Sequence, residues 1–306
     1  MSFQFRHFCR ACLVAAALLL LPLSAEAQQA FKTPEEAVAA LADAIKSGST
    51  RRMMKVLGSN SEDIVLSGDE IADQELRQRF MQAYEAKHNV IVEGDKASLV
   101  MGADDFPLPI PLARRWAGWK FDTDAARLEI LYRRIGRNEL AAIQTCLAFV
   151  DAQNEYAEKD RTGAGVGVYA ERIVSAAGKK DGLYWPASDR EASPLGEFVA
   201  AASAEGYKAR QGLTPYHGYY YRILTAQGPN APGGMLNYIV NRKMIGGFAL
   251  IAYPAVYGNS GVMTFVVNHS GTVYQKDFGN STVALVGRMV RYDPDQTWKK
   301  VNAPHP

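Results

Sequence analysis

Histidines are the side chains of this chain that most often bind transition metals, but their spacing does not favour a metal site. Beyond the first 27 residues they are far apart, and no H-x-H or H-E-x-x-H spacing places two of them on one ion. We therefore predict no zinc site. The histidines concerned are His88, His217, His269 and His305.

Two pairs of aspartates offer oxygen ligands of the kind that calcium prefers. Asp122 and Asp124 flank Thr123, and Asp293 and Asp295 flank Pro294. The first pair stands at the expected start of a helix and the second at a proline turn, and aspartate is favoured at both places without a metal. We interpret both pairs as structural, and we predict no metal ion and no cofactor.

The patterns that mark a nucleotide site or a catalytic nucleophile do not occur in the sequence. The glycines of segment 163–167 follow a helix and lack the G-x-G-x-x-G frame, and there is no G-x-S-x-G elbow. Cys146 shares a helical stripe with Ile143 and Val150, which is typical of a buried small hydrophobe. The sequence thus offers no residue that we assign as catalytic.

Aromatic side chains concentrate in the second half of the chain, where tyrosines come in runs. Strand alternation places Tyr219 and Tyr221 on one face of a strand and Tyr220 on the other. Core and cross-strand packing is the interpretation we favour for them, although exposed tyrosines also suit binding surfaces. The candidate ligand or partner surface comprises Trp185, Tyr219, Tyr220, Tyr221, Tyr253 and Tyr257.

Residues 1–27 have the pattern of a cleavable signal peptide. A basic start is followed by the apolar run 11–21, and Ala25-Glu26-Ala27 places small residues around a cleavage site. The apolar run is about half of the ~20 residues that a spanning helix needs, so an uncleaved anchor is the alternative that we disfavour. We expect cleavage between Ala27 and Gln28, a periplasmic or secreted location, and no membrane span in the mature chain.

Charge, cysteine content and size narrow the class of protein. The chain has 34 basic and 32 acidic residues, and without the leader 32 and 31 remain. This balance argues against a nucleic-acid partner, which requires a concentrated basic face.

Cys9 and Cys12 lie in the leader, so the mature chain has one thiol and no internal disulfide. We expect a signal peptide over 1–27, an N-terminal module over 28–123 and a second domain over 124–306.

The sequence of the N-terminal module predicts helices followed by a meander of strands. Thr33, Pro34 and Glu36 have the spacing of a capping box that opens a first helix, and Gly48 ends it. The remaining helices are predicted over 51–57 and 69–86, the latter burying Ile71, Leu76, Phe80 and Tyr84, and the strands over 89–93, 97–101, a proline-rich edge 106–112, and 116–121.

The sequence of the second domain predicts helices followed by an antiparallel sheet. The glycine at position 136 predicts a kink or break between a helical stretch 124–134 and a helix 138–156. Short helices are predicted over 168–175 and 194–204, and aromatic and β-branched residues predict the strands that follow.

Two resemblances follow from this layout. Residues 31–122 resemble the cystatin-like or nuclear-transport-factor-like cone fold. The helix within 137–157, followed by strand segments 218–223, 247–254 and 261–268, resembles the head of type IV pilins and pseudopilins, in which a helix packs on an antiparallel sheet. Four arginines within 127–137 replace the hydrophobic assembly helix of a pilin, so the resemblance implies a pilin-like head without filament assembly.

Taken whole, the mature chain resembles a secreted bacterial family, domain-of-unknown-function family 2950. The resemblance implies no activity that can be assigned to residues. The segments that carry it are 134–139, 181–186, 223–228, 248–257 and 293–295 with Trp298.

Together these patterns predict an α+β protein of the cell envelope that binds rather than catalyses, with an unidentified envelope protein or cell-surface component as its partner. The alternative is a small-molecule-binding or hydrolytic enzyme, with a pocket in the N-terminal module and Asp104 or Asp105 as its polar groups. A pseudopilin-like envelope subunit is a third hypothesis, against which the arginine-rich helix start argues.

Overall fold

The computed structural model describes residues 28–161, 163, 165–186, 191–208 and 214–302. Within them, helices and mostly antiparallel strands form the predicted α+β fold around two hydrophobic cores. The predicted leader, with Ala27 at its cleavage site, lies outside the described residues.

The first core is built by the N-terminal half of the chain. The N-cap half of the predicted capping box is confirmed, because Thr33 Oγ1 accepts from the Glu36 N–H (3.2 Å). Glu36 Oε2 accepts from the N–H of Lys32 (3.0 Å), the residue before the N-cap, instead of from the N–H of Thr33. The elements of this half are α1 (Pro34–Lys46), α2 (Thr50–Leu57), α3 (Glu62–Val65), α4 (Glu70–Ala86), β1 (His88–Glu93), β2 (Lys96–Met101), β3 (Phe106–Pro107), β4 (Leu112–Arg115) and β5 (Gly118–Phe121).

The sheet of this half has the strand order β1-β2-β4-β5, and β3 pairs with β2. The prediction that α4 buries Leu76 is wrong, because this side chain is 52% exposed. The helix packs against the first core near its C-terminal end, where Phe80 and Tyr84 are partly buried. Leu76, in an earlier turn of the helix, therefore faces solvent.

A single long helix, α5 (Thr123–Ala157), runs from the first core to the second. It contributes Ala126 to the first core and Cys146 to the second. The predicted break at Gly136 does not occur, because the helix is continuous through this residue. A glycine costs a helix about 1 kcal/mol relative to alanine, and tertiary contacts of Arg134 and Asn138 hold the helix on both sides of it. Among the described residues, no helix combines the length and apolarity needed to span a bilayer.

The second core lies between α5 and a sheet formed by the C-terminal half. The elements of this half are β6 (Arg172–Val174), β7 (Gly182–Tyr184), α6 (Gly196–Ala204), β8 (Tyr219–Leu224), β9 (Ala226–Gln227), β10 (Leu236–Asn237), β11 (Ile239–Val240), β12 (Lys243–Met244), β13 (Ala249–Pro254), β14 (Met263–Asn268), β15 (Tyr274–Asp277), a 3-10 turn (Gly279–Ser281), α7 (Thr282–Arg288) and β16 (Lys299–Lys300).

The main sheet of this half has the order β16-β15-β14-β13-β8, with antiparallel neighbours throughout. Helix α5 packs on β13 and β14. Helix α7 covers the other face, where the Arg222 guanidinium of β8 donates to Val286 O and Met289 O, both at 2.8 Å. The helix-on-sheet arrangement predicted for this half is therefore present.

The short helix predicted over 168–175 is wrong. Residues Arg172–Val174 instead form strand β6, which pairs in parallel with β7. The backbone at Tyr169 also bridges to Met244. Pairing with strands distant in sequence decides the conformation here, and the β-branched Ile173 and Val174 suit a strand.

Cys146 is the buried hydrophobe that its helical stripe predicts. It is fully buried in the second core, and burial raises the pKa of its thiol to about 12. A thiol in this environment stays protonated at neutral pH and is a poor nucleophile.

A buried guanidinium holds the two halves together. Arg134 of α5 is 6% exposed, and its Nη1 and Nη2 donate to Asp63 O (2.6 Å) and Ile64 O (2.7 Å) in the first half. Nη1 also donates to Asn259 Oδ1 in the second half. Asn259 Nδ2 in turn donates to Leu66 O at 2.8 Å. One charged side chain thus joins α5 to helix α3 of the first half and to the loop before β14 of the second half.

The next turn of α5 continues this contact with the loop before β14. Asn138 Nδ2 donates to Ser260 O at 2.9 Å. Glu139 Oε1 accepts from the backbone N–H groups of Val262 and Met263, each at 2.9 Å. Three polar side chains of one short helical segment therefore fix the course of this loop.

We predict that Arg134→Ala lowers the free energy of unfolding by roughly 3–5 kcal/mol, because it removes a buried charge and leaves carbonyl groups of both halves without their donors. Urea unfolding followed by circular dichroism measures the loss. The matched control is Arg133→Ala, whose side chain is exposed and pairs with Glu129, and which should cost below about 1 kcal/mol. Equal losses for the two variants would contradict the role of Arg134.

Candidate functional site

An apolar cleft opens beside the α5 face of the second sheet, with a volume of about 540 Å³. Five elements contribute to its walls: strands β6, β8 and β13 and helices α5 and α6. The main lining side chains are Thr145, Phe149, Ile173, Leu195, Phe198, Val199, Ala202, Tyr207, Tyr216, Tyr221, Ile223 and Leu250.

The sheet supplies the floor of the cleft. Tyr221 and Ile223 lie two residues apart on β8, so both point to the same face, and Leu250 is the β13 residue directly opposite Ile223. Phe149 of α5 closes this floor at one side. Strand alternation thus predicts the face of the sheet to which Tyr221 points, and in the structure this face is the floor of the cleft.

Aromatic rings from outside the sheet form the opposite wall. Tyr216 lies edge-on to Phe198 of α6 and to Tyr207, with ring centroids 5.4 and 4.8 Å apart. Such edge-to-face pairs are favourable arrangements of aromatic rings. This wall therefore presents ring surfaces, with hydroxyl groups at a few points, to any occupant.

The polar groups of the cleft are largely neutral and hydrogen-bonded. The Tyr221 hydroxyl donates to Tyr216 O at 3.4 Å, and the Thr145 hydroxyl donates to Ala141 O at 2.8 Å within its own helix. Burial holds the pKa of Tyr221 well above its usual range and raises that of Tyr216 to about 12. Both phenols are protonated at neutral pH, so they can orient a ligand through hydrogen bonds.

Charged side chains stand at the mouth of the cleft. Glu171, Arg172 and Lys208 are exposed there. Arg172 pairs with Asp181, with 3.8 Å between Nε and Oδ2. These three charged side chains are thus exposed, and Arg222, which also contributes to the lining, directs its guanidinium to Val286 O and Met289 O.

The N-terminal half reaches this cleft through Asp69, the N-cap of α4. The buried Asp69 Oδ2 accepts from the Tyr207 hydroxyl (2.8 Å) and from the Gly218 N–H (2.9 Å). Gly218 has φ +74, and a Cβ there would lie 2.5 Å from Asn138 Nδ2, so this turn requires glycine. One carboxylate therefore positions both a wall residue and the turn that leads into β8.

A histidine and a glutamate also meet beside this turn. His217 Nε2 lies 3.2 Å from Glu205 Oε2, which joins the end of α6 to the start of β8. His217 has φ +48, a conformation that is unfavourable for residues other than glycine. The two side chains thus lie together between the α6 wall and the sheet, and the buried Glu205 Oε2 forms no hydrogen bond among the described residues.

The predicted aromatic surface does not form one patch. Trp185 and Tyr219 are buried (3% and 0% exposed), so their assignment to a surface is corrected. Trp185 lies in the second core with its indole N–H bound to Glu191 O, and the Tyr219 hydroxyl donates to Met263 O. Their polar atoms are thus satisfied within the protein.

The other four predicted residues lie at different places. Tyr221 lines the cleft. Tyr220 points to the other face of the sheet, where its ring centroid is 5.5 Å from that of Tyr253. The partly exposed Tyr257 donates to Asp277 at 3.3 Å. The structure therefore brings only Tyr221 of this set into the cleft.

The patterns of the sequence do not predict the wall opposite the sheet. Phe198, Tyr207 and Tyr216 were not assigned to a site, since they come from a helix and from segments without a periodic pattern. A local density of aromatic residues around 216–221 was the available signal. The fold alone places Phe198 beside it.

The acidic residues considered for metals have structural partners. Asp122 pairs with Arg115 and caps α5, whereas Asp124 accepts from Asn60 Nδ2 at 2.9 Å. Asp293 accepts from Asn230, and Asp295 from Thr297. In the described part of the chain, no three His, Cys, Asp or Glu side chains cluster in a way that would hold an ion.

The comparisons with known proteins give one match. The model of a family described as protein of unknown function (DUF2950) matches residues 28–301. No curated protein and no solved structure matches the chain. The likenesses to pilin heads and to cone folds therefore stay predictions.

We predict that Tyr207→Phe lowers the free energy of unfolding by about 1.5–3 kcal/mol, because the buried Asp69 carboxylate loses its hydroxyl donor. The matched control is Tyr216→Phe, which removes a hydroxyl that forms no hydrogen bond with a described residue and should change stability by less than about 0.5 kcal/mol. Urea denaturation of both variants measures the difference. A Tyr207→Phe protein as stable as the control would contradict the role of this contact.

Proposed function

The chain belongs to the DUF2950 family of proteins of unknown function, and we propose that it is a secreted, non-catalytic binding protein of the cell envelope. In this proposal its cleft holds a small molecule with an apolar body. The sequence does not identify the binding partner, and in this proposal the partner is a small ligand in the cleft instead of a second protein.

The observation that carries this proposal is the aromatic cleft itself. Its volume of about 540 Å³ lies in the range of roughly 300–1,000 Å³ that is typical of ligand sites. Its lining is mostly apolar, with the hydroxyls of Tyr216 and Tyr221 inside and charges at the mouth. A few polar groups in an apolar cavity are the usual composition of a small-molecule site.

Binding fits the cleft better than catalysis. General acid–base catalysis requires a group that titrates near the working pH and lies within hydrogen-bond reach of the reacting atom. The phenols of Tyr216 and Tyr221 have raised pKa values, and the Thr145 hydroxyl is bonded to its own helix. These groups are suited to orienting a ligand and not to exchanging protons with it. The pair of His217 and Glu205 lies beside the cleft and is not part of its lining.

The alternative of an enzyme with its pocket in the N-terminal module has less support. Asp104 and Asp105 lie in an exposed turn, where Asp105 pairs with Lys87 (2.7 Å). A polar depression in this half measures about 170 Å³, below the usual size of a ligand site. Its aspartates, Asp122 and Asp124, already have partners.

Support for export comes from the leader and from the extent of the family match. The sequence before Gln28 has a basic start, an apolar run and a small-residue cleavage pattern. The family match begins at residue 28, directly after the expected cleavage site. A periplasmic or secreted binding protein accounts for both observations.

We predict that apolar molecules from a fragment library raise the melting temperature of the protein. A ligand at 100 times its Kd adds about 2.7 kcal/mol, which is roughly 5–10 °C for a protein of this size. The shift should vanish in Val199→Trp, where the new ring fills the cleft from α6. Differential scanning fluorimetry followed by titration calorimetry measures both effects.

The matched control is Leu140→Trp, which adds the same ring at an exposed position of α5 (63% exposed) and should leave binding intact. Ligands that stabilise the wild-type and Val199→Trp proteins equally would place their site outside the cleft. A defined turnover of a cleft ligand by the wild-type protein would overturn the non-catalytic part of the proposal.

We also predict that expression in a Gram-negative host yields a protein whose N-terminus is Gln28. Intact-mass measurement of the periplasmic fraction checks this directly. Placing a large side chain at Ala27, as in Ala27→Trp, should block cleavage and leave the precursor, because the position before the cleaved bond requires a small residue. Recovery of the full-length wild-type chain in the cytoplasm would exclude export.

A further inference from the structure

Strand β1 forms an open edge of the N-terminal sheet. The order β1-β2-β4-β5 places it at one side, and in the described part of the chain it pairs with β2 alone. Its residues are exposed apart from the partly buried Val90, and Ile91 and Val92 remain 45% and 49% exposed. A strand that combines β-branched residues with an unpaired edge is a template for pairing with another chain.

The other edges of the same sheet are protected. On the outer side of β5, Phe31 N donates to Trp119 O (3.0 Å) and Trp119 N donates to Phe31 O (2.8 Å). Strand β3 has only two residues, and one of them is Pro107. Short strands, proline and a covering segment are common ways of protecting an edge. Strand β1 has six residues and no proline, and no described segment pairs with its outer side.

The ladder between β1 and β2 determines which backbone groups face outward. Gly102 N donates to Lys87 O at 2.9 Å, so Lys87 directs its carbonyl toward β2. Because this direction alternates along an antiparallel strand, every second residue from Lys87 to Glu93 bonds to β2, and the backbone groups of the residues between them point away from the sheet. The outward-facing residues are His88, Val90 and Val92.

The same strand from a second copy fits this edge. Lys87 is extended (φ −163, ψ 133), so the segment available for pairing covers residues 87–93, with Val90 at its centre. Antiparallel pairing of this segment with itself over its full length places Val90 opposite Val90 on a two-fold axis. Each outward-facing residue then meets another outward-facing residue, which gives about six backbone hydrogen bonds.

Charge complementarity supports this register. It places Lys87 of one copy opposite Glu93 of the other, and the two-fold axis repeats the pair at the other end of the strand. Within one copy, Lys87 pairs with Asp105 (2.7 Å), and Glu93 lies opposite Lys96 of β2. Acidic and basic side chains therefore alternate across the contact, and their charges balance.

We propose that two copies of the chain associate through β1 and join their N-terminal sheets into one continuous antiparallel sheet. The apolar centre of the strand then packs against its own counterpart, and the charges at its ends fix the register. A different partner would have to supply an extended segment with matching charges, whereas this chain carries both charges on one strand. The cleft is lined by the other half, so the proposal does not depend on what the cleft binds.

Analytical ultracentrifugation of the purified mature protein tests the association. We expect a dimer at roughly 100 μM protein, a concentration at which an interface of micromolar affinity is occupied. Val90→Pro removes an N–H on the two-fold axis, and an edge strand tolerates proline where its N–H faces solvent. This variant should keep the circular dichroism spectrum of the wild type and dimerise roughly tenfold more weakly or worse.

Charge reversal tests the register. Lys87→Glu and Glu93→Lys each place like charges at both ends of the strand, so either variant alone should dimerise roughly 10–100-fold more weakly. A mixture of the two should form a heterodimer in native mass spectrometry, because the reversed positions then face each other and so do the unchanged ones. The matched control is Lys300→Glu, which reverses an exposed charge in the other half and should dimerise like the wild type.

Four outcomes would overturn the proposal. A wild-type protein that is monomeric at roughly 100 μM would exclude the association. A Val90→Pro dimer as strong as that of the wild type would place the contact elsewhere. A mixture of the two charge variants that fails to associate would contradict the register. Capture of another protein's extended segment on β1 by a monomeric chain would replace the second copy with that partner.

Discussion

A buried guanidinium is the constraint on which the rest of this structure depends. The charge of Arg134 is withdrawn from water, so its donors need acceptors within the protein. Those acceptors are backbone carbonyls of residues 63 and 64 on one side and the Asn259 amide on the other. The two halves satisfy this charge together, and their relative position follows from it.

The cleft is a consequence of the same junction. Asp69 lies a few residues beyond the carbonyls that Arg134 binds, and it holds both Tyr207 and Gly218. The N-terminal half therefore takes part in shaping a site whose lining residues all come from the second half. A binding protein built in this way needs both halves even if the ligand contacts one of them.

Some features followed from neighbouring residues alone. The N-cap at Thr33, the helical stripe that buries Cys146 and the alternation along β8 depend on one turn of helix or one strand, so the sequence predicts them correctly. The continuity of α5 at Gly136 and the strand at 172–174 depend on partners distant in the chain, and there local patterns failed.

By itself, the sequence determined the α+β class, the family and the absence of a recognisable catalytic motif. The periodicity of apolar residues indicates the class, and the order of similar segments along the chain indicates the family. The tertiary structure decided which aromatic residues meet. It buried Trp185 and Tyr219, and it brought Phe198, Tyr207 and Tyr216 to one wall. The physical reason is separation: Asp69 and Gly218 are 149 residues apart in the chain, and only folding brings them within 2.9 Å.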